Sequence, residues 1–369
     1  MKKDNDTLTF SSKPIKFCIY LLVFLCGLFS VFRIFDSTSL DFGFPYGHFH
    51  FPADRQIPFF REGEREFGEI DVFGFRKGSL KTNANCNYLL LGDSQTFGSG
   101  IFWKDTFPEI LNRETDCNWI NISVPGSTLE NEFSMYKEVS SHLEFSHVYL
   151  FVYGNDIYET GDTPDFLHFV NHKKWYIHFL SFLFPEHTRL YLKKTYFESI
   201  QNRMDIELER VSKLPYQAPN IKEKKKEVAE FLPIKTLFQI SPTYLSSALD
   251  TKTFAKINYD RWKKILFELN HEIRKQGKQL TLVYIPLEVE FDKSRYEVYG
   301  DIGFVMNPHW LESDSELIQD LTQLSKENQI PLIDLRRFIR YRTDLLQNGD
   351  IHLNETATRL IADILKQKQ

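Results

Sequence analysis

The chain has 369 residues, a formal net charge of -5, 26% charged residues and 42% hydrophobic residues. This composition is that of a folded protein with room for one or two domains, and it argues against disorder. The slightly acidic balance offers no basic field, so nucleic acid is not an expected partner, and the 34 Phe point to no function by themselves.

Residues 17–32, FCIYLLVFLCGLFSVF, carry no charge and are flanked by Lys16 and Arg33. As a helix at about 1.5 Å per residue they span roughly 24 Å, and Ile34, Phe35 and snorkelling flanks extend this toward a bilayer core of about 30 Å. The stretch is long for a signal-peptide core, and nothing else in the chain is placed to pack around it as a buried helix. A single transmembrane anchor over 17–35 is therefore expected. Lys2, Lys3, Lys13 and Lys16 precede it, which keeps residues 1–16 in the cytoplasm and sends the rest to the periplasmic or extracytoplasmic side. No small-x-small cleavage pattern follows, and Val-Phe-Leu before Cys26 lacks the small residue that lipid attachment needs, so the anchor reads as uncleaved and unlipidated.

Residues 37–84 mix Pro, Gly, Asp and aromatics without helical period and read as an extended arm or irregular linker on the domain surface. His48 and His50 alternate there without further metal ligands nearby. The domain proper is expected over 85–369. It begins with Tyr88–Leu91, an apolar run suited to a short buried strand, which Gly92, Asp93 and Ser94 break. A sharp turn at the carboxyl end of a strand can hold a hydroxyl clear of the backbone, which makes Ser94 a candidate nucleophile. Taken alone, the tripeptide equally suits a phosphate-cradling or merely tight turn.

A helix over Asp105–Thr115 follows, with Pro108 in its first turn, then a second strand over Trp119–Val124 ending in Pro125-Gly126. Leu129, Phe133, Tyr136 and Leu143 recur at helical spacing, and His147–Tyr153, HVYLFVY, is a third strand ending in Gly154-Asn155-Asp156. Strands that alternate with helices and end in Gly-bearing polar turns mark a parallel α/β sheet. Cys86 and Cys117 stand just before the first and second strands. As parallel neighbours they lie about 5 Å apart, within disulfide reach in an oxidising compartment. Cys18 and Cys26 fall in the anchor, and with no C-x-x-C pair a zinc site of cysteine spacing is unsupported.

Residues 160–250 interrupt the alternation with an aromatic and basic run and the charge cluster IKEKKKEV, and read as an inserted helical lid. His168 and His172 stand at i, i+4 without a matching carboxylate, so no metal site is read there. Trp262, Ile265, Leu266, Leu269 and Ile273 then mark a helix closed by Gly277, followed by a fourth strand, Gln279–Pro286. Leu317, Leu321 and Leu324 mark the next helix, and Ile330–Leu335 is a fifth strand. Asn354 can cap a last helix whose apolar face is Ala357, Leu360, Ile361, Ile364 and Leu365. The whole predicts a three-layer α/β sandwich with five parallel strands in the flavodoxin-like order 2-1-3-4-5.

Just before that helix stands Asp350-Ile351-His352. A histidine two residues after a carboxylate can supply a base and its orienting acid, or simply belong to a capping loop. Four segments, LLLGDSQTFGSG, NISVPGST, YGNDIYE and GDIHLNE, resemble in order and rough spacing the four blocks of the SGNH, or GDSL, hydrolases. The resemblance covers about residues 85–369. It implies Ser94 as nucleophile, Gly126 and Asn155 as oxyanion-hole donors, His352 as general base and Asp350 as its orienting partner. The family's commonest pattern has glycine where this chain has Tyr153, and places the acid three residues before the histidine rather than two. Membrane-anchored bacterial members often show the spacing found here.

The resemblance implies a serine esterase that needs no cofactor or metal. With the anchor, it points to acyl or acetyl esters on an envelope glycan or lipid. An acyltransferase using the same site, or a scaffold that kept the fold without activity, are the alternatives. The acyl group, the acceptor and any protein partner stay open.

Overall fold

The computed structural model describes residues 56–61, 64–71, 75–159 and 243–368, with helical positions within 20–30. The chain divides into two compact units, residues 1–43 with 164–200 and residues 44–163 with 201–369. In the first, Tyr20, Leu21, Val23, Phe24 and Leu25 are helical and exposed. Among the described residues no helix is long and apolar enough to cross a membrane. Most of the anchor expected at 17–35 lies outside the described residues, as do residues 1–16, residues 37–55 with His48 and His50, and residues 160–242 with His168 and His172.

The second unit contains an antiparallel pair, β1 (Gln56–Arg61) and β2 (Glu64–Glu69), with Pro58 opposite Phe67. Part of the extended arm or irregular linker expected over 37–84 is therefore a strand pair. Pro58 and the charged residues of EREFGE hide the strands, because neither segment alternates apolar with polar. Further along the arm, Ile70, Phe75 and Arg76 are buried.

Strands β3 (Cys86–Leu91), β4 (Cys117–Asn121), β5 (His147–Tyr153), β6 (Gln279–Ile285) and β7 (Leu332–Asp334) form one sheet. Its order is β4-β3-β5-β6-β7 and every neighbouring pair is parallel. Counted from β3 this is the expected 2-1-3-4-5. Parallel strands need crossovers. They are supplied by α1 (Ser94–Phe97) and α2 (Phe107–Glu114), then α3 (Leu129–Val139), then α4 (Gly154–Glu159), α5 (Tyr244–Leu249) and α6 (Lys256–Lys275). Helices α7 (Lys293–Ile302), α8 (His309–Glu312) and α9 (Glu316–Asn328) precede β7, while α10 (Arg336–Ile339) and α11 (Glu355–Lys366) follow it.

The central strands are apolar without alternation because helices cover both faces. Val148–Tyr153 and Leu280–Ile285 are buried throughout. Trp262, Leu266, Leu269 and Ile273 of α6 are buried in the same core as Ile361, Ile364 and Leu365 of α11, each such side chain contributing about 1.5–3 kcal/mol. Asn354 caps α11 by accepting from the Ala357 N–H at 3.1 Å.

Cys86 and Cys117 are register partners at the amino edge of the sheet, 4.6 Å apart between Cα atoms and joined as a disulfide. β4 ends at Asn121, earlier than the expected Val124. Backbone bonding to β3 nevertheless runs on to the expected Val124, since the Ile122 N–H donates to Leu90 O at 3.1 Å and the Val124 N–H to Gly92 O at 3.3 Å, while the Asn121 side chain accepts from the Ser123 N–H at 3.1 Å.

Candidate active site

The turn that carries Ser94 follows directly from β3. Gly92 is required by close approach, since a Cβ there would lie 2.2 Å from Thr96 Oγ1. Asp93 then caps α1 by accepting from the Gln95 N–H at 2.9 Å, and Ser94 is the first residue of that single helical turn. Gly98 closes it in the left-handed region at φ 81°. Buried Arg76 clamps the exit: Nη1 donates to the carbonyls of Phe97 at 3.1 Å and Gly98 at 3.2 Å, and Nη2 to Ile101 at 3.0 Å.

His352 arrives from the far end of the chain in the loop that leads into α11. Its Nε2 lies 3.0 Å from Ser94 Oγ and its Nδ1 lies 2.9 Å from Asp350 Oδ1. Asp350 Oδ1 also accepts the Ile351 N–H at 2.6 Å and the His352 N–H at 3.3 Å. Burial pushes the Asp350 carboxyl up, but the His352 hydrogen bond and charge, with these backbone donors, hold it below the ordinary carboxylate value. An ionised carboxylate only accepts, so Nδ1 carries the proton and Nε2 is left to accept from the Ser94 hydroxyl. Burial opposes charging of His352. The Asp350 hydrogen bond and charge, joined by the charges of Asp93 and Glu288, outweigh it and raise the imidazole above its ordinary value.

Gly126 lies in an exposed turn with φ 74°. That turn is fastened to the Ser94 turn through Gly92 O, which accepts from Ser127 Oγ at 3.0 Å and from the Val124 N–H at 3.3 Å. Asn155 is not in a polar turn, as expected, but in the first turn of α4, which begins directly at the end of β5. Its Nδ2 donates to Asp93 Oδ2 at 3.0 Å. One amide hydrogen is thereby committed to Asp93. All five expected site residues thus gather at the carboxyl end of β3, β4 and β5, opposite the disulfide.

Three further residues around this site are not among those expected from the sequence. Gln95 donates from Nε2 to Ile351 O and accepts at Oε1 from the Leu353 N–H, both at 3.1 Å. Gln347 donates from Nε2 to Ser99 O at 2.7 Å and Leu353 O at 2.8 Å. Glu288 is fully buried behind the site, where it accepts from the Tyr153 hydroxyl at 2.8 Å and from the Tyr299 hydroxyl. Burial pushes its carboxyl up to about 7. The one sequence signal was Tyr153 itself, since a tyrosine at the buried end of a strand needs a partner for its hydroxyl. Among the described residues no group of three or more His, Cys, Asp or Glu is placed to hold a metal ion.

No family model matches the chain, and no curated protein matches it. The solved structures to which it is similar include esterases and lipolytic proteins of the G-D-S-L family. Psychrotrophic esterase EstA from Pseudoalteromonas sp. is 14% identical with a TM-score of 0.37, the match covering 77% of this chain and 96% of that one. A lipolytic protein of the G-D-S-L family from Veillonella parvula is 12% identical with a TM-score of 0.38, over 76% and 96% of the two chains. The acetyl xylan esterase AlAXEase is 14% identical with a TM-score of 0.37, over 76% and 98%.

Proposed function

We propose that this chain is a serine esterase that removes an acyl or acetyl group from a cell-envelope glycan or lipid. The observation that carries the reading is the unbroken relay from Ser94 Oγ through His352 to Asp350. Serine is inert at neutral pH unless a base takes its proton. In the proposed reaction, Ser94 Oγ attacks the ester carbonyl carbon as Nε2 of His352 takes the hydroxyl proton, and Asp350 stabilises the imidazolium. The tetrahedral intermediate carries a charged oxygen, which the N–H groups of Ser94 and Gly126 and the free amide hydrogen of Asn155 receive. The carbon–oxygen bond to the leaving group breaks and Nε2 returns its proton to that alkoxide. Water then attacks the acyl-serine with Nε2 again as base, which releases the acid and restores Ser94. The scheme uses no cofactor.

The acyltransferase alternative differs only in the second nucleophile, a sugar hydroxyl in place of water, and needs a site that keeps water out. The half-exposed Asp350 and His352 favour hydrolysis, with side chains 34% and 23% accessible. The expected export of the domain agrees with the Cys86–Cys117 disulfide, since such bonds persist in oxidising compartments.

The test uses the full chain with p-nitrophenyl acetate and a fluorophosphonate probe. Wild type releases acetate and is labelled, while Ser94→Ala and His352→Ala lose turnover and Ser94→Ala also loses labelling. Full activity in Ser94→Ala overturns the reading. An acyl-enzyme that accumulates in water and discharges only onto an added glycan replaces hydrolysis with transfer.

A further inference from the structure

We infer that Gln95 is a positioning residue that holds the loop carrying His352 in register with Ser94. This rests on reading those two residues as base and nucleophile. Gln95 follows Ser94 directly, and its side-chain amide grips the residue on each side of His352: Nε2 donates to Ile351 O and Oε1 accepts from the Leu353 N–H, both at 3.1 Å. A side-chain amide offers a donor beside an acceptor, so it can serve a carbonyl and an N–H on one edge of a chain as a neighbouring strand does.

The grip is rigid at its root. Gln95 is 2% exposed, and its own N–H is held by Asp93 Oδ1 at 2.9 Å. The carbonyl of His352 faces another partner, the Gln347 N–H at 2.9 Å. The segment around His352 is therefore fixed by two glutamines, of which only Gln95 is adjacent to the nucleophile. Any slip of His352 relative to Ser94 breaks both hydrogen bonds of Gln95, whose side chain is buried and so has little water to replace them. The 3.0 Å separation of Ser94 Oγ and His352 Nε2 is set between residues 258 apart in the chain, and this clamp spans the same interval. Gln95 touches no reacting atom in the proposed reaction, so its effect passes through His352.

The test compares full-chain wild type, Gln95→Leu and Gln95→Glu. Three quantities are read: the low-field proton resonance of His352 Nδ1 in 15N-histidine-labelled protein, kcat per fluorophosphonate-titrated site with KM, and the thermal unfolding curve. Gln95→Leu is expected to unfold cooperatively, to lose or broaden the resonance, and to lower kcat per titrated site about 10- to 100-fold with KM little changed, as a misplacement near 1 Å does. Gln95→Glu keeps the acceptor for Leu353 and loses the donor to Ile351, and should fall between. A purely structural role lowers the number of titratable sites without changing kcat per site. An unchanged resonance with unchanged kcat per site in Gln95→Leu overturns the inference. If Gln95→Leu does not fold, Gln95→Glu decides, and wild-type values in that variant overturn it. A wild type that turns over no ester, with the resonance lost in Gln95→Leu, removes the esterase reading and leaves the positioning role standing.

Discussion

Nδ2 of Asn155 donates to Oδ2 of Asp93 at 3.0 Å, so the residue before Ser94 holds the amide that, in the proposed reaction, meets the oxyanion. Asp93 is fully buried, and burial raises its carboxyl pKa against the opposing effects of the Gln95 N–H, the Asn155 amide and the His352 charge. With one hydrogen held by Asp93, Asn155 needs no reorientation as charge develops on the substrate oxygen. Asn155→Ala should therefore lower kcat about 100- to 1,000-fold while KM moves little, because the bond forms fully only in the transition state. Steady-state kinetics on p-nitrophenyl acetate check this. A rise in KM at constant kcat would instead make Asn155 a substrate-binding residue.

The electrostatics of His352 give a pH signature. The base must be neutral to accept the Ser94 proton, and its pKa is held above the ordinary 6.5, so kcat/KM should rise with pH through a midpoint above that value. Stability runs the other way. A histidine whose folded pKa is raised stabilises the fold fully below its unfolded value, and this contribution is lost as pH rises through the folded pKa. Glu288 adds one of the anions that raise His352, so Glu288→Gln should move the kcat/KM midpoint to lower pH and keep the alkaline plateau. Profiles of the two proteins measured side by side check it. A midpoint that stays in place would remove Glu288 from the electrostatics of the site.

Arg76 joins the arm to the nucleophile helix. Its guanidinium, 4% exposed, serves the carbonyls of Phe97, Gly98 and Ile101 at the exit of α1. Arg76→Leu leaves those carbonyls without their charged donor and should cost about 2–4 kcal/mol of stability, seen as a lower denaturant midpoint. Arg76→Lys should recover only part, since an ammonium cannot reproduce the planar fork.

These same residues show what the sequence could and could not display. The sheet order was legible because β3, β5 and β6 are unbroken apolar runs with the lengths and spacings of buried parallel strands. Ser94 and His352 were legible because each stands in a short polar break beside such an element. Gln95, Gln347 and Glu288 were not, because their roles depend on contacts across more than 100 residues and on burial, which leave no local pattern. The β1–β2 pair is illegible for a different reason: Pro58 and a charged partner strand erase the period of two. Gly-Asn-Asp is turn chemistry and predicts a turn at Gly154, yet the Asp156 carboxylate accepts the Tyr153 N–H at 2.8 Å and starts α4 without a break.

The disulfide and the apolar N-terminal stretch make a joint prediction about where the domain works. Cys86 and Cys117 sit directly opposite each other in parallel strands, and the bond closes a loop of sequence separation 31. Closing a loop of that size contributes about 2–4 kcal/mol by constraining the unfolded chain, and a reducing cytoplasm would forfeit it. Lys2, Lys3, Lys13 and Lys16 before residues 17–35 orient the proposed anchor with the domain outside. In cells, Cys86 and Cys117 should resist maleimide alkylation until a reductant is added, and the paired Cys86→Ser, Cys117→Ser variant should unfold at a lower denaturant concentration. Alkaline phosphatase fused after Gln369 should be active, since that reporter matures only outside the cytoplasm. Freely alkylated Cys86 and Cys117 together with an inactive fusion would place the domain in the cytoplasm and remove the envelope from the proposed substrate.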